Sequence, residues 1–113
     1  MATMRIPVRI LIIGMNAEIN STVTAGLNED KSISARGFIV SNNPESDAEL
    51  INVIKEQEYD AIILGKGLRI QDGWFERIES IVKRNSDVPV VEVQGRTADA
   101  VKEALQVNGI MKG

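Results

Sequence analysis

The chain has 113 residues, 43% of them hydrophobic and 26% charged, and a formal net charge of −3 from 13 basic and 16 acidic side chains. That suits one domain around one core over residues 1–113, and it leaves no basic excess to neutralise a phosphate backbone, so no nucleic-acid partner is expected. The absence of Cys and His excludes thiol nucleophiles, disulfides, Zn–thiolate and imidazole–metal sites and a Ser-His-Asp triad, and it fits a reducing cytoplasm.

With only 4% aromatics, the core must come from Ile, Val, Leu and Ala. Arg5 and Arg9 beside Ile10-Leu11-Ile12-Ile13 have a faint look of a signal peptide. The apolar run is too short for that, and no membrane span is expected. Val8 to Ile13 (VRILII) is almost continuously apolar and β-branched, as a strand buried on both faces of a parallel sheet must be. Gly14 and Met15 turn the chain. Asn16 then caps a helix reaching to about Asn28, with Ile19, Val23 and Leu27 on one face. Glu29 to Ser32 reads as a solvated loop.

The second predicted strand is short, Gly37 to Val40. Asn43 as N-cap and Pro44 at the first helical position start a second helix running to about Gln57. Its apolar face is assigned to Ala48, Ile51 and Ile54, with Leu50 beside them. Asp60 to Leu64 is the third strand. Asp72 is expected to cap a third helix of about 13 residues, whose apolar positions are Trp74, Phe75, Ile78, Ile81 and Val82. Val88 to Val93 (VPVVEV) is the fourth strand. Thr97 caps the last helix, which turns Val101, Ala104 and Leu105 inward. Gly109 is suited to the left-handed position after its end, with Ile110 supplying the apolar contact.

Four β-α units with helical crossovers imply a three-layer α/β/α sandwich with a four-stranded parallel sheet. Right-handed crossovers favour the order 2-1-3-4, a Rossmann-like or flavodoxin-like arrangement. In such a sheet, ligands bind at the carboxyl ends of the strands where the order reverses, here between the first and third strands. The loops at that point are Gly14-Met15-Asn16 and Gly65-Lys66-Gly67, with Gln94-Gly95-Arg96 beside them.

The stretches YDAIILG and VPVVEVQG resemble the third and fourth strands of a response-regulator receiver domain, and the layout resembles one over most of the chain. The resemblance implies an acidic pair after the first strand, where Gly14-Met15 stands. It implies a phosphoacceptor Asp at the end of the third, where Gly65 stands, and Thr or Ser at the end of the fourth, where Gln94 stands. The Lys that follows a receiver's fifth strand has no counterpart in these four units. Mg²⁺ needs hard oxygen ligands, so the resemblance implies a pseudo-receiver that is not phosphorylated and has no catalytic residue, metal site or cofactor.

Gly14-Met15-Asn16 lacks G-x-G-x-x-G spacing, and Gly65-Lys66-Gly67 is not a Walker loop. The two glycines still permit a sharp turn, and Lys66 can meet an anion near the helix starts at Asn16 and Thr97. Gly14, Asn16, Gly65, Lys66 and Gln94 are therefore the candidate ligand-binding residues. Glu92 reads as an edge-strand charge, Trp74 and Phe75 as core or interface contacts, and Arg69, Arg77, Lys83 and Arg84 as a solvated basic face.

The fourth strand is expected to be a long, apolar edge only partly protected by Pro89 and Glu92, open to a second copy of the chain. Two functions compete. One is a non-catalytic receiver-like interaction module acting through homodimerisation or a protein partner; the other is a small-molecule, nucleotide or anion-binding domain using the strand-end loops.

Overall fold

A computed structural model describes residues 7–65, 73–93 and 97–110. Four strands, β1 (Val8–Gly14), β2 (Ile33–Ile39), β3 (Ala61–Leu64) and β4 (Val90–Glu92), alternate with four helices, α1 (Ala17–Asn28), α2 (Pro44–Glu56), α3 (Trp74–Asn85) and α4 (Ala98–Val107). The sheet is parallel throughout in the order β2-β1-β3-β4. The fold is flavodoxin-like, as the alternation of apolar runs and helix caps implies.

The pleat sorts the side chains into two cores. On one face Ile10, Ile12, Ala61, Ile63 and Val91 pack with Val23 and Leu27 of α1 and Val101 and Leu105 of α4. On the other, Leu11, Ile13, Ile62 and Leu64 pack with Leu50, Val53 and Ile54 of α2 and Ile78 and Val82 of α3. β1 and β3 feed both cores, which is why neither alternates in polarity. Tyr59 is buried with its hydroxyl donating to the Val53 carbonyl oxygen at 3.1 Å.

Local signals place the helix ends. Asn16, Asn43 and Thr97 each accept a backbone N–H of the first turn, from Ile19 (3.0 Å), Ser46 (2.8 Å) and Ala100 (3.1 Å). After α4, Gly109 has φ 71°. Its N–H donates to Gln106 and the Ile110 N–H to Leu105, the two bonds of a Schellman stop, while Ile110 packs on the first core.

Four expectations are corrected. β2 begins at Ile33 rather than Gly37, because β1 pairs with it along its whole length, from Val8↔Ile33 to Gly14↔Ile39. The apolar face of α2 is Leu50, Val53 and Ile54, and Ala48 is exposed. Two apolar stripes of different phase compete on that helix, and packing against α3 selects the one with larger side chains. Gly73 occupies the N-cap position of α3 and donates its N–H to the Glu76 carboxylate; Asp72 lies outside the described residues. Finally, β4 is regular only over Val90–Glu92, since Pro89 has no N–H to continue a ladder.

Candidate functional site

The chain leaves β1 towards β2 on one side, and β3 enters on the other. The carboxyl ends of β1 and β3 thus form the crevice where this topology places ligands. Gly14 ends β1 and Gly65 follows β3. The Gly65 N–H donates to the Ile13 carbonyl oxygen at 2.9 Å. A Cβ at position 65 would stand 3.3 Å from that oxygen and 3.7 Å from the Gly14 Cα. Two bare backbones therefore close on each other at the centre of the rim.

The structure brings Gly14 and Gly65 together and sets Asn16 at the start of α1 on the same rim. Lys66 and Gln94 lie outside the described residues, as do Gly67, Arg69, Gly95 and Arg96. The capping side chains on the rim already have partners. Asn16 and Thr97 cap their helices. Asn43 caps α2, and Ser46 accepts the Ser41 N–H at 2.8 Å, closing the loop after β2 on itself. Among the described residues no group of three or more acidic side chains is placed to hold a cation.

The protonation shifts fall on the opposite rim. The Ser32 hydroxyl and N–H, with Lys102 nearby, hold the Asp30 carboxyl below its usual range. Burial raises the Tyr59 hydroxyl, aided by the Glu56 charge and opposed by Arg36. Asp30 and Tyr59 both precede strands, so neither can serve chemistry at the carboxyl ends. Of the residues read as a basic face, Arg77 pairs with Asp47 (3.1 Å) and Lys83 with Glu79 (3.7 Å), ordinary surface pairs. Trp74 and Phe75 pack against the second core.

The two sheet edges are finished differently, a feature the sequence reading missed. β2 is an edge of seven residues. The Val40 N–H bonds to Gly14, so the even positions of β2 face β1 and the odd positions face outward. Several of the outward groups, most of them in its first half, are met by side chains and a turn. The Ile33 N–H donates to the Asp30 carbonyl (3.0 Å). The Ala35 N–H donates to Asn28 Oδ1 (2.8 Å), and Asn28 Nδ2 donates back to the Ala35 carbonyl (3.1 Å). Arg36 Nη1 reaches the Gly37 carbonyl at 3.3 Å, while its Nε pairs with Glu56.

One asparagine thus stands in for a residue of a missing neighbour strand. The only hint in the sequence was an Asn at a helix end seven residues before a small residue. Replacing Asn28 by Ala removes both bonds; a loss of about 1 kcal/mol in urea unfolding is expected, since the site is open to water. Light scattering should also show larger assemblies than the wild type forms, as the freed edge becomes a template.

At the other edge, the Ile62 N–H donates to the Pro89 carbonyl at 2.9 Å. Positions 89 and 91 therefore face β3, and Val90 turns its N–H and carbonyl outward. Glu92 is exposed on this edge. Among the described residues no helix is long and apolar enough to cross a membrane. Comparison with protein-family models, with curated proteins and with solved structures finds no match.

Proposed function

We propose that this chain is a receiver-like interaction module, not phosphorylated, that acts by pairing with a second copy of itself along the β4 edge. The observation that carries this reading is the unequal finish of the sheet. On the long β2 edge the Asn28 amide, the Asp30 carbonyl and Arg36 meet the outward groups of Ala35, the Ile33 N–H and the Gly37 carbonyl, whereas Val90 presents its backbone outward on an edge strand flanked by apolar side chains. Strand addition at such an edge supplies main-chain bonds, and a two-fold contact between identical edges closes without further growth. The rim chemistry agrees with a binding role: glycines stand where a receiver's acids would, and the described caps are turned into their own helices.

The test is the solution mass of the wild type and of Val90→Pro, by size-exclusion chromatography with light scattering over a range of concentrations. Proline removes the outward N–H and no internal ladder donor, the position at which a strand tolerates it. A dimeric wild type and a monomeric Val90→Pro with unchanged circular dichroism are expected. A dimer that persists in folded Val90→Pro excludes the β4 edge. A wild type that is monomeric at every concentration excludes self-pairing and turns the module reading towards a different protein partner.

A further inference from the structure

We infer that Asn108 is a deamidation site of this chain and that the stop of α4 controls its rate. Asn108 is exposed and is followed by Gly109, whose missing Cβ leaves the backbone nitrogen open to approach. The reaction needs only water. The Gly109 nitrogen, having given its proton to a base, attacks the Asn108 side-chain carbonyl carbon. The new C–N bond closes a five-membered succinimide, and the side-chain nitrogen leaves as ammonia after taking up a proton. Water then opens the ring at either carbonyl, giving aspartate or isoaspartate. The net change is side-chain amide plus water to carboxylate plus ammonium.

The fold opposes each geometric requirement of the first step. The Gly109 N–H is held by the Gln106 carbonyl at 3.1 Å. The Asn108 Nδ2 donates to the Ala104 carbonyl at 2.7 Å, drawing the side chain back along the helix and away from the Gly109 nitrogen. The Asn108 backbone, at φ −90° and ψ 5°, must rotate before that nitrogen can stand over the side-chain carbon. Reaction therefore proceeds through molecules in which the last turn of α4 has opened, and its rate measures that opening.

The product is not neutral to the fold. Aspartate removes the donor to Ala104 and puts a negative charge at a helix carboxyl end, where the dipole disfavours it. Isoaspartate adds a methylene to the main chain between Asn108 and Gly109, so the bonds from Gly109 to Gln106 and from Ile110 to Leu105 can no longer both form.

The test is peptide mapping by mass spectrometry during incubation at mildly alkaline pH, in native buffer and in urea. The wild type is compared with Ile110→Ala, which weakens the stop while leaving the Asn-Gly pair unchanged. Expected results are modification at Asn108 ahead of every other asparagine in urea, at least tenfold slower modification of the native wild type, and a severalfold faster native rate in Ile110→Ala with equal rates in urea. Equal native and unfolded rates in the wild type would overturn control by the stop. An unmodified Asn108 in urea would overturn the site itself. Should Ile110→Ala not fold, the wild-type rate followed across the urea transition decides: a rate that does not rise with unfolding refutes the inference.

Discussion

Replacing Gly37 by alanine lowers stability by about 2–4 kcal/mol, the sum of overpacking and a disturbed buried hydrogen bond, read from the urea midpoint at unchanged slope. Gly37 sits in β2 opposite Ile12, beneath α1. An added Cβ would stand 2.2 Å from Asn20 Oδ1 and 2.8 Å from Thr24 Oγ1. A flexible side chain would swing away at little cost, but Asn20 is buried and its Nδ2 donates to the Ile12 carbonyl at 3.1 Å. Thr24 has no hydrogen-bond partner for its Oγ1, so its displacement breaks no hydrogen bond and the polar part of the cost falls on Asn20. The slight benefit of alanine over glycine in the unfolded chain is smaller than either effect. If the clash with Asn20 is the cause, Gly37→Ala combined with Asn20→Ala loses clearly less than the sum of the two single variants, because neighbours sharing one space are not additive. Strict additivity would place the cost elsewhere in β2.

A charge at Val91 has a comparably large effect, for a different reason. Val91 is 2% exposed and lies in the cluster of Ile63, Val101 and Leu105, under α4 rather than on the open edge. Val91→Asp buries a carboxylate with no partner, at a cost of about 3 kcal/mol or more at neutral pH. The pH dependence identifies the cause. Burial raises the carboxyl above its unfolded value of about 3.9, so the stability of the protonated form is fully present below that value and is lost as pH rises through the folded one. The deficit in urea midpoint relative to wild type should therefore shrink from about pH 7 to about pH 5, within the range such burial opens. A deficit independent of pH would mean that lost volume, not charge, is responsible. Val91 is thus the wrong place to probe assembly, and Val90, one residue away with its amide outward, is the right one.

The parts of the fold legible in the sequence are those fixed locally or by strong composition. VRILII and AIIL read as strands buried on two faces, and right-handed crossovers favoured their order. Asn16, Asn43, Thr97 and Gly109 were legible because a cap is a bond between near neighbours. What escaped was set by partners distant in the chain. The first half of β2, Ile33-Ser34-Ala35-Arg36, has no continuous apolar run, and it is a strand because β1 and Asn28 supply its hydrogen bonds. The phase of α2 could not be chosen between Ala48-Ile51 and Leu50-Val53 without α3 to pack against. At the candidate site, the meeting of Gly14 and Gly65 followed from strand order, while the engagement of the caps around them did not, since it depends on which way each side chain turns.

The closeness of β1 and β3 at Gly65 also bears on how such a chain could change over generations. An aspartate there would need its Cβ 3.3 Å from the Ile13 carbonyl oxygen, a contact tight enough that the neighbouring backbone must give. It would also stand alone, with no described cluster of acids to share a cation. Acquiring acid chemistry at this rim therefore asks for a shift of the β1 end as well as a carboxylate. The backbone at Ile13 would have to give way slightly, and until further acids arrived that adjustment would come without the activity.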